Sequence, residues 1–341
     1  MSSMRILIIG GTRFIGPYVV RSLASAGHEV TVFHKGGTET DLPDVVRHIH
    51  ADHADILKLK EEFSRLAPQV VLDMIAYTEH EANLVMQTYK GIAQRVVAIS
   101  SQDVYRAYDR VRRASPGPPD PVPLAEDSPL RENLYPYRSH AKGPEDWIYH
   151  YEKILVEHAF MSEPDLPGTV LRLPFVYGPG DYQHRLFPFL KRMDDGRSTI
   201  LFEEGRAEWC WTRGYVENIA TAITLAVVNE RAKGRIYNVG ETTTLTEAEW
   251  IYRIGQVTGW RGEVVTLPKD SLPKHLLIDF HWKQHLVSDS TRIRNELGYT
   301  ESVAFNEALK RTIEWERKNP PENVDPQQFD YAAEDEAISK K

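Results

Sequence analysis

Arg5-Ile-Leu-Ile-Ile-Gly-Gly-Thr-Arg-Phe-Ile-Gly16 is the stretch from which the fold can be read. Residues 5–9 form a short, continuous apolar run, the pattern of a strand buried on both faces. Glycines at 10, 11 and 16 follow, and a helical spacing of Val19, Val20, Leu23 and Ala24 runs on to Gly27. Glu29-Val-Thr-Val-Phe33 then reads as a second strand. A strand, a glycine turn, a helix and a strand in this order aim backbone N–H groups and a helix N-terminus at one point, where a pyrophosphate can bind.

Two details there bear on the ligand. Arg13 stands where such turns usually place a glycine, which counts against close backbone approach at that point. The second strand ends in His34-Lys35-Gly36-Gly37, without the acid that would hold an NAD ribose. With Arg13, His34 and Lys35 nearby, a ribose 2′-phosphate is better tolerated, which favours NADP over NAD.

The pattern continues along the chain. Val45 to His50 reads as a third strand and residues 55–66 as a helix. Val70 to Ala76 is a fourth strand, residues 79–90 a helix, and Arg95-Val-Val-Ala-Ile-Ser-Ser101 a fifth strand. Alternation at this spacing implies an α/β fold with a doubly wound parallel sheet (a Rossmann fold), which binds ligands at the carboxyl ends of its strands. Ser100 and Ser101 sit at such an end.

The 341 residues carry a net charge of −8, which argues against nucleic-acid or anionic-membrane partners. No apolar run approaches the ~18 residues that span a bilayer, and the N-terminal apolar run is too short for a signal peptide. Cys210 is the single cysteine, so no intrachain disulfide forms and a cytoplasmic location is expected. His48, His50 and His53, and the pair His281 and His285, are read as chance spacings, and no metal is expected.

Tyr149 and Lys153 stand four residues apart in a segment, 143–157, whose pattern predicts a helix, so they are expected on one face. A phenol titrates near pH ~10, and a neighbouring ammonium lowers that value, so the pair suits proton transfer near neutral pH. Before it, residues 106–143 hold Ala114-Ser-Pro-Gly-Pro-Pro-Asp-Pro-Val-Pro123, an irregular segment suited to a lid or a specificity loop.

Together these stretches resemble the extended short-chain dehydrogenase/reductases of the NAD-dependent epimerase/dehydratase family, which includes nucleotide-sugar epimerases and dehydratases. The resemblance rests on the glycine turn, Ser-Ser-Gln-Asp-Val-Tyr105, Tyr149 with Lys153, and Leu171-Arg-Leu-Pro-Phe-Val-Tyr-Gly-Pro179. It continues in Trp211 to Ala220, Tyr237-Asn-Val-Gly240 and Asp289 to Gly298. It implies Ser101 as the serine that bonds the reacting oxygen, Tyr149 as the acid/base and Lys153 as the ribose-binding partner that lowers the tyrosine's pKa. For the cofactor it implies Gly10, Thr12, Arg13, Phe14, Ile15 and Gly16, then His34, Lys35, Asp52 and Ile75 at strand ends, with Tyr149 and Lys153. Phe175 replaces an asparagine that touches nucleotide-sugar in the family, whereas Arg213 matches an arginine that binds substrate phosphate.

The implied activity is transient oxidation of a carbinol, followed by epimerisation or dehydration, on a nucleotide-sugar or related polyol. The alternative is an NADPH-dependent reductase of a smaller carbonyl compound. Some relatives have binding roles, RNA binding among them, but the acidic charge and the Ser–Tyr–Lys set argue against that. The expected division is a dinucleotide-binding domain (1–175 with about 213–240) and a substrate domain (about 176–212 with 241–320). Residues 321–341 read as a loosely attached tail, and the resemblance implies a homodimer.

Overall fold

A computed structural model describes residues 3–37 and 40–341. Seven strands form one parallel sheet: β1 (Arg5–Ile9), β2 (Glu29–His34), β3 (Arg47–His50), β4 (Val70–Asp73), β5 (Arg95–Ser101), β6 (Gly168–Leu173) and, late in the chain, β10 (Ile236–Asn238). Their order is β10-β6-β5-β4-β1-β2-β3. The order reverses direction between β1 and β4, which opens a crevice at the carboxyl ends of those strands. Two short parallel pairs lie outside this sheet: β7 (Phe175–Tyr177) with β9 (Arg213–Tyr215), and β8 (Thr199–Glu203) with β11 (Glu263–Leu267).

The helices before the site are α1 (Ile15–Ser25), α2 (Lys60–Leu66), α3 (Glu79–Tyr89) and α4 (Arg106–Val111). Next come α5 (Lys153–Met161), α6 (Phe187–Asp194), α7 (Glu204–Ala207) and α8 (Val216–Val228). The last four are α9 (Glu247–Thr258), α10 (Thr291–Leu297), α11 (Phe305–Lys318) and α12 (Tyr331–Ser339).

Side chains alternate across a strand, and β1 shows the consequence. Ile6 and Ile8 enter one core, with Val19 and Val20 of α1 and Ile219 and Ile223 of α8. Leu7 and Ile9 enter the other, with Ala82 and Val85 of α3 and Val156 and Phe160 of α5. A sheet covered on both faces needs continuous apolar strands, which is why residues 5–9 carry no polar alternation beyond Arg5.

The glycine turn is fixed by contact as well as conformation. Gly10 and Gly11 hold φ of +89° and +84°, a region that L side chains rarely occupy. A Cβ on Gly16 would stand 2.4 Å from the carbonyl carbon of Gly11, so the first turn of α1 lies directly on the turn backbone. Gly16→Ala is therefore expected to displace the turn and to weaken dinucleotide binding at least about tenfold, with about 1–3 kcal/mol of lost stability. Dinucleotide titration beside thermal unfolding checks both.

Three expectations change. The predicted helix over 143–157 begins only at Lys153. Its N-cap, Glu152, is extended (φ −157°, ψ 97°) and accepts from the Ile154 N–H. Glu152 is fully buried because the guanidinium of Arg131, equally buried, reaches it at 3.0 Å. Residues 146–150 form turns instead, and Trp147 is 64% exposed. The segment from 106 is also less irregular than predicted, since α4 occupies its start.

The tail is docked rather than loose. Glu334 of α12 is fully buried; it accepts from Arg192 at 2.7 Å and lies 3.1 Å from His275. Tyr331 donates to Asp195, and Arg197 pairs with Asp335.

Candidate active site

The N-terminus of α1 faces the crevice. Its N-cap, Phe14, is held at φ 48°, has no side-chain cap, and no acid occupies the first turn. The Gly16 N–H turns back to the Arg13 carbonyl at 2.9 Å and Pro17 has no N–H, so it is the positive end of the helix, unopposed by acid, that fits a dinucleotide pyrophosphate. Gly10 packs on Ile75, whose N–H is held by Asp73 Oδ1 at 2.8 Å. Thr12 is buried in the turn, while Arg13 is exposed.

At the end of β2, Lys35 meets Asp52 at 2.7 Å, both exposed. The hydrogen bond between them holds the Lys35 ammonium above its usual value and the Asp52 carboxyl below its own. Two residues expected at the ribose thus partly neutralise one another, which tempers the positive charge inferred from Lys35 alone. His34 is buried beside them.

The two serines that end β5 divide. Ser100 Oγ donates to Glu157 Oε1 at 2.5 Å, within a buried pair in which Arg172 also grips Glu157. Ser101 Oγ is half-buried and accepts from the Asp103 N–H at 3.2 Å. The Lys153 ammonium is buried between strand ends, donating to Ala76 O at 2.6 Å and Ile99 O at 2.9 Å. Burial lowers its pKa, and the ring of Tyr77 lies 4.8 Å away.

The structure brings Ser101 and Lys153 to adjacent strand ends but does not place Tyr149 one helical turn from Lys153. Tyr149 lies in the turn before α5, under the Arg138 guanidinium at 4.8 Å, with its carbonyl accepting from Arg138 Nε. The reason is the Arg131–Glu152 pair, which starts α5 at Lys153 rather than near 143. Tyr151 occupies the interior instead. Its hydroxyl donates to Asp103 Oδ2 at 2.8 Å and also engages Ser101. Burial, then the charge of Asp103, pushes the Tyr151 phenol well above its ordinary value.

Phe175 and Arg213 start paired strands and face one cleft of about 420 Å³. Arg213 pairs with Glu247, which Arg206 approaches at 4.0 Å from the other side. Two guanidiniums thus share one carboxylate. Arg206 is otherwise stacked against Phe202 and Phe189, and burial pulls its pKa down. Two buried donors of this cleft, Arg213 Nε and Trp282 Nε1, have no partner among the described residues. Trp209 and Trp282 form another wall and belong to one buried cluster with Val104, Tyr105 and Ile154, residues that follow Ser101 and Lys153 in the chain. Sequence reading did not single out Arg206 or Trp209 as site residues. Both stand between β8 and β9, where neither apolar period nor a charge pattern marks them.

The fold is shared with the Bordetella bronchiseptica enzyme WbmG, solved in complex with NAD: the TM-score is 0.68 at 20% identity, over 93% of this chain and 95% of that one. A dTDP-glucose 4,6-dehydratase of Streptomyces niveus is 29% identical over 343 residues, 93% of this chain and 94% of the relative. A UDP-N-acetyl-alpha-D-glucosaminuronate decarboxylase of Bacillus cytotoxicus is 25% identical over 348 residues, 92% and 98% of the two chains. No helix among the described residues is long and apolar enough to cross a membrane. Residues 6–240 match the NAD dependent epimerase/dehydratase family, and the chain is an enzyme that belongs to it.

Proposed function

We propose that the enzyme acts on a nucleotide-sugar, oxidising a carbinol transiently and returning the hydride within the same turnover. The observation that carries this is the cleft in which Arg206 and Arg213 share a single carboxylate. The excess positive charge, lined by tryptophans, suits a diphosphate joined to a base and a sugar. The relatives' names, a dTDP-glucose dehydratase and a UDP-sugar decarboxylase, point to the same substrate class.

The bound nicotinamide supplies hydride acceptance. The chain supplies the rest. Ser101 holds the reacting oxygen, and Lys153 brings a buried positive charge from strand ends fixed by Ala76 and Ile99. Tyr149 receives the hydroxyl proton; for that, residues 149–152 join α5 as one more turn, which sets Tyr149 above Lys153. Tyr151 is the poorer proton acceptor, because its phenol is locked on Asp103 and resists ionisation.

The substrate assignment is tested by incubating the enzyme and added dinucleotide with dTDP-glucose and UDP-glucose, following products by NMR. A changed sugar ring with an intact nucleotide supports it. Turnover of small ketones with no change to either nucleotide-sugar would favour the reductase reading, for which Phe175 at the asparagine position speaks.

We further assign the cofactor as NADP in preference to NAD, on Arg13, His34 and Lys35. Because Asp52 offsets Lys35, the preference is expected to be modest, about tenfold or less, and Lys35→Ala should erase most of it. Fluorescence titration with both cofactors measures this; equal or tighter NAD binding by the unmutated enzyme would reverse the assignment.

A further inference from the structure

We propose that His34, His48 and His50 form a binding site for a divalent transition-metal ion of the zinc class. His48 and His50 are two residues apart on β3 and so share a face, and His34 on β2 is in register with His50. The parallel pairing therefore gathers three imidazoles at the carboxyl ends of two strands. His53, which the sequence grouped with His48 and His50, turns instead towards Asp73 at 4.0 Å.

A ligand nitrogen from each of the three rings lies within 4.8 Å of the others. Nitrogens around a tetrahedral zinc, at about 2.0–2.1 Å from the ion, stand roughly 3.3 Å apart. His34 Nε2 and His48 Nδ1 are already 2.9 Å apart, and the rings of His34 and His50 meet at 4.6 Å. Side-chain rotation alone can close the remaining gap, since His48 and His50 are exposed.

The protons can also be accounted for. His34 Nδ1 accepts from the Gly36 N–H at 3.2 Å, so Nε2 carries the ring proton and donates it to His48 Nδ1. His48 Nδ1 is thus a lone-pair donor and can bind an ion directly. Coordination through His34 Nε2 moves that ring's proton to Nδ1 and gives up the long bond from the Gly36 N–H. Three neutral imidazoles suit zinc, nickel or copper and leave further positions open for water.

The test uses the full chain without a histidine tag, stripped by a chelator and titrated with zinc chloride by calorimetry at neutral pH. One equivalent should bind with micromolar or tighter affinity. His48→Ala and His50→Ala, both at exposed positions, should each weaken it at least about tenfold, with circular dichroism unchanged. Absence of binding up to millimolar zinc would overturn the site. So would equal affinity in both variants, since the ion would then be held elsewhere.

Discussion

Tyr149→Phe is expected to lower kcat by about 10²–10⁴-fold while leaving dinucleotide affinity nearly unchanged. The phenol is the only group the substitution removes, and the cofactor's contacts through the glycine turn and Lys153 stay in place. Tyr151→Phe offers the contrast. It removes a buried hydroxyl donated to Asp103, whose Oδ1 already lacks a partner among the described residues. The expected loss there is stability of about 1–3 kcal/mol, with kcat retained within an order of magnitude. Steady-state kinetics on both variants, with unfolding curves, separate the two tyrosines. A silent Tyr149→Phe beside an inactive, well-folded Tyr151→Phe would transfer the acid/base role to the interior phenol that engages Ser101.

The second large effect lies at Glu152. Its carboxylate caps α5, accepts from the Tyr135 N–H at 2.6 Å and faces Arg131, both side chains being fully buried. Glu152→Ala strands a guanidinium in the interior, and breaking a buried pair from one side costs about 3–5 kcal/mol. Denaturant unfolding should show that loss. A change below about 1 kcal/mol would mean that water reaches Arg131 and that the helix start is fixed by other contacts.

The sheet was legible because each of its early strands is a short apolar run bounded by glycine, proline or a helix, and period and length suffice for that pattern. The place of Ser101 at the end of β5 was legible as well, from the length of its apolar run. The start of α5 was not, because Glu152 is held by an arginine 21 residues upstream. The docked tail escaped notice for the same reason, since Glu334 finds its partners at Arg192 and His275. Likewise, His34 joins His50 only through strand register, which sequence spacing does not specify. Local pattern gives elements and the residues at their ends. Long-range ion pairs decide where a helix begins and what a charged side chain faces.

The account's central claim is that hydride leaves and returns within one turnover. The direct test supplies the chain with one equivalent of dinucleotide and an excess of dTDP-glucose or UDP-glucose, and counts product. Recycling predicts many product molecules per cofactor, with the cofactor's oxidation state unchanged at the end. Product that stops at one per cofactor, with matching accumulation of its opposite redox form, would contradict it.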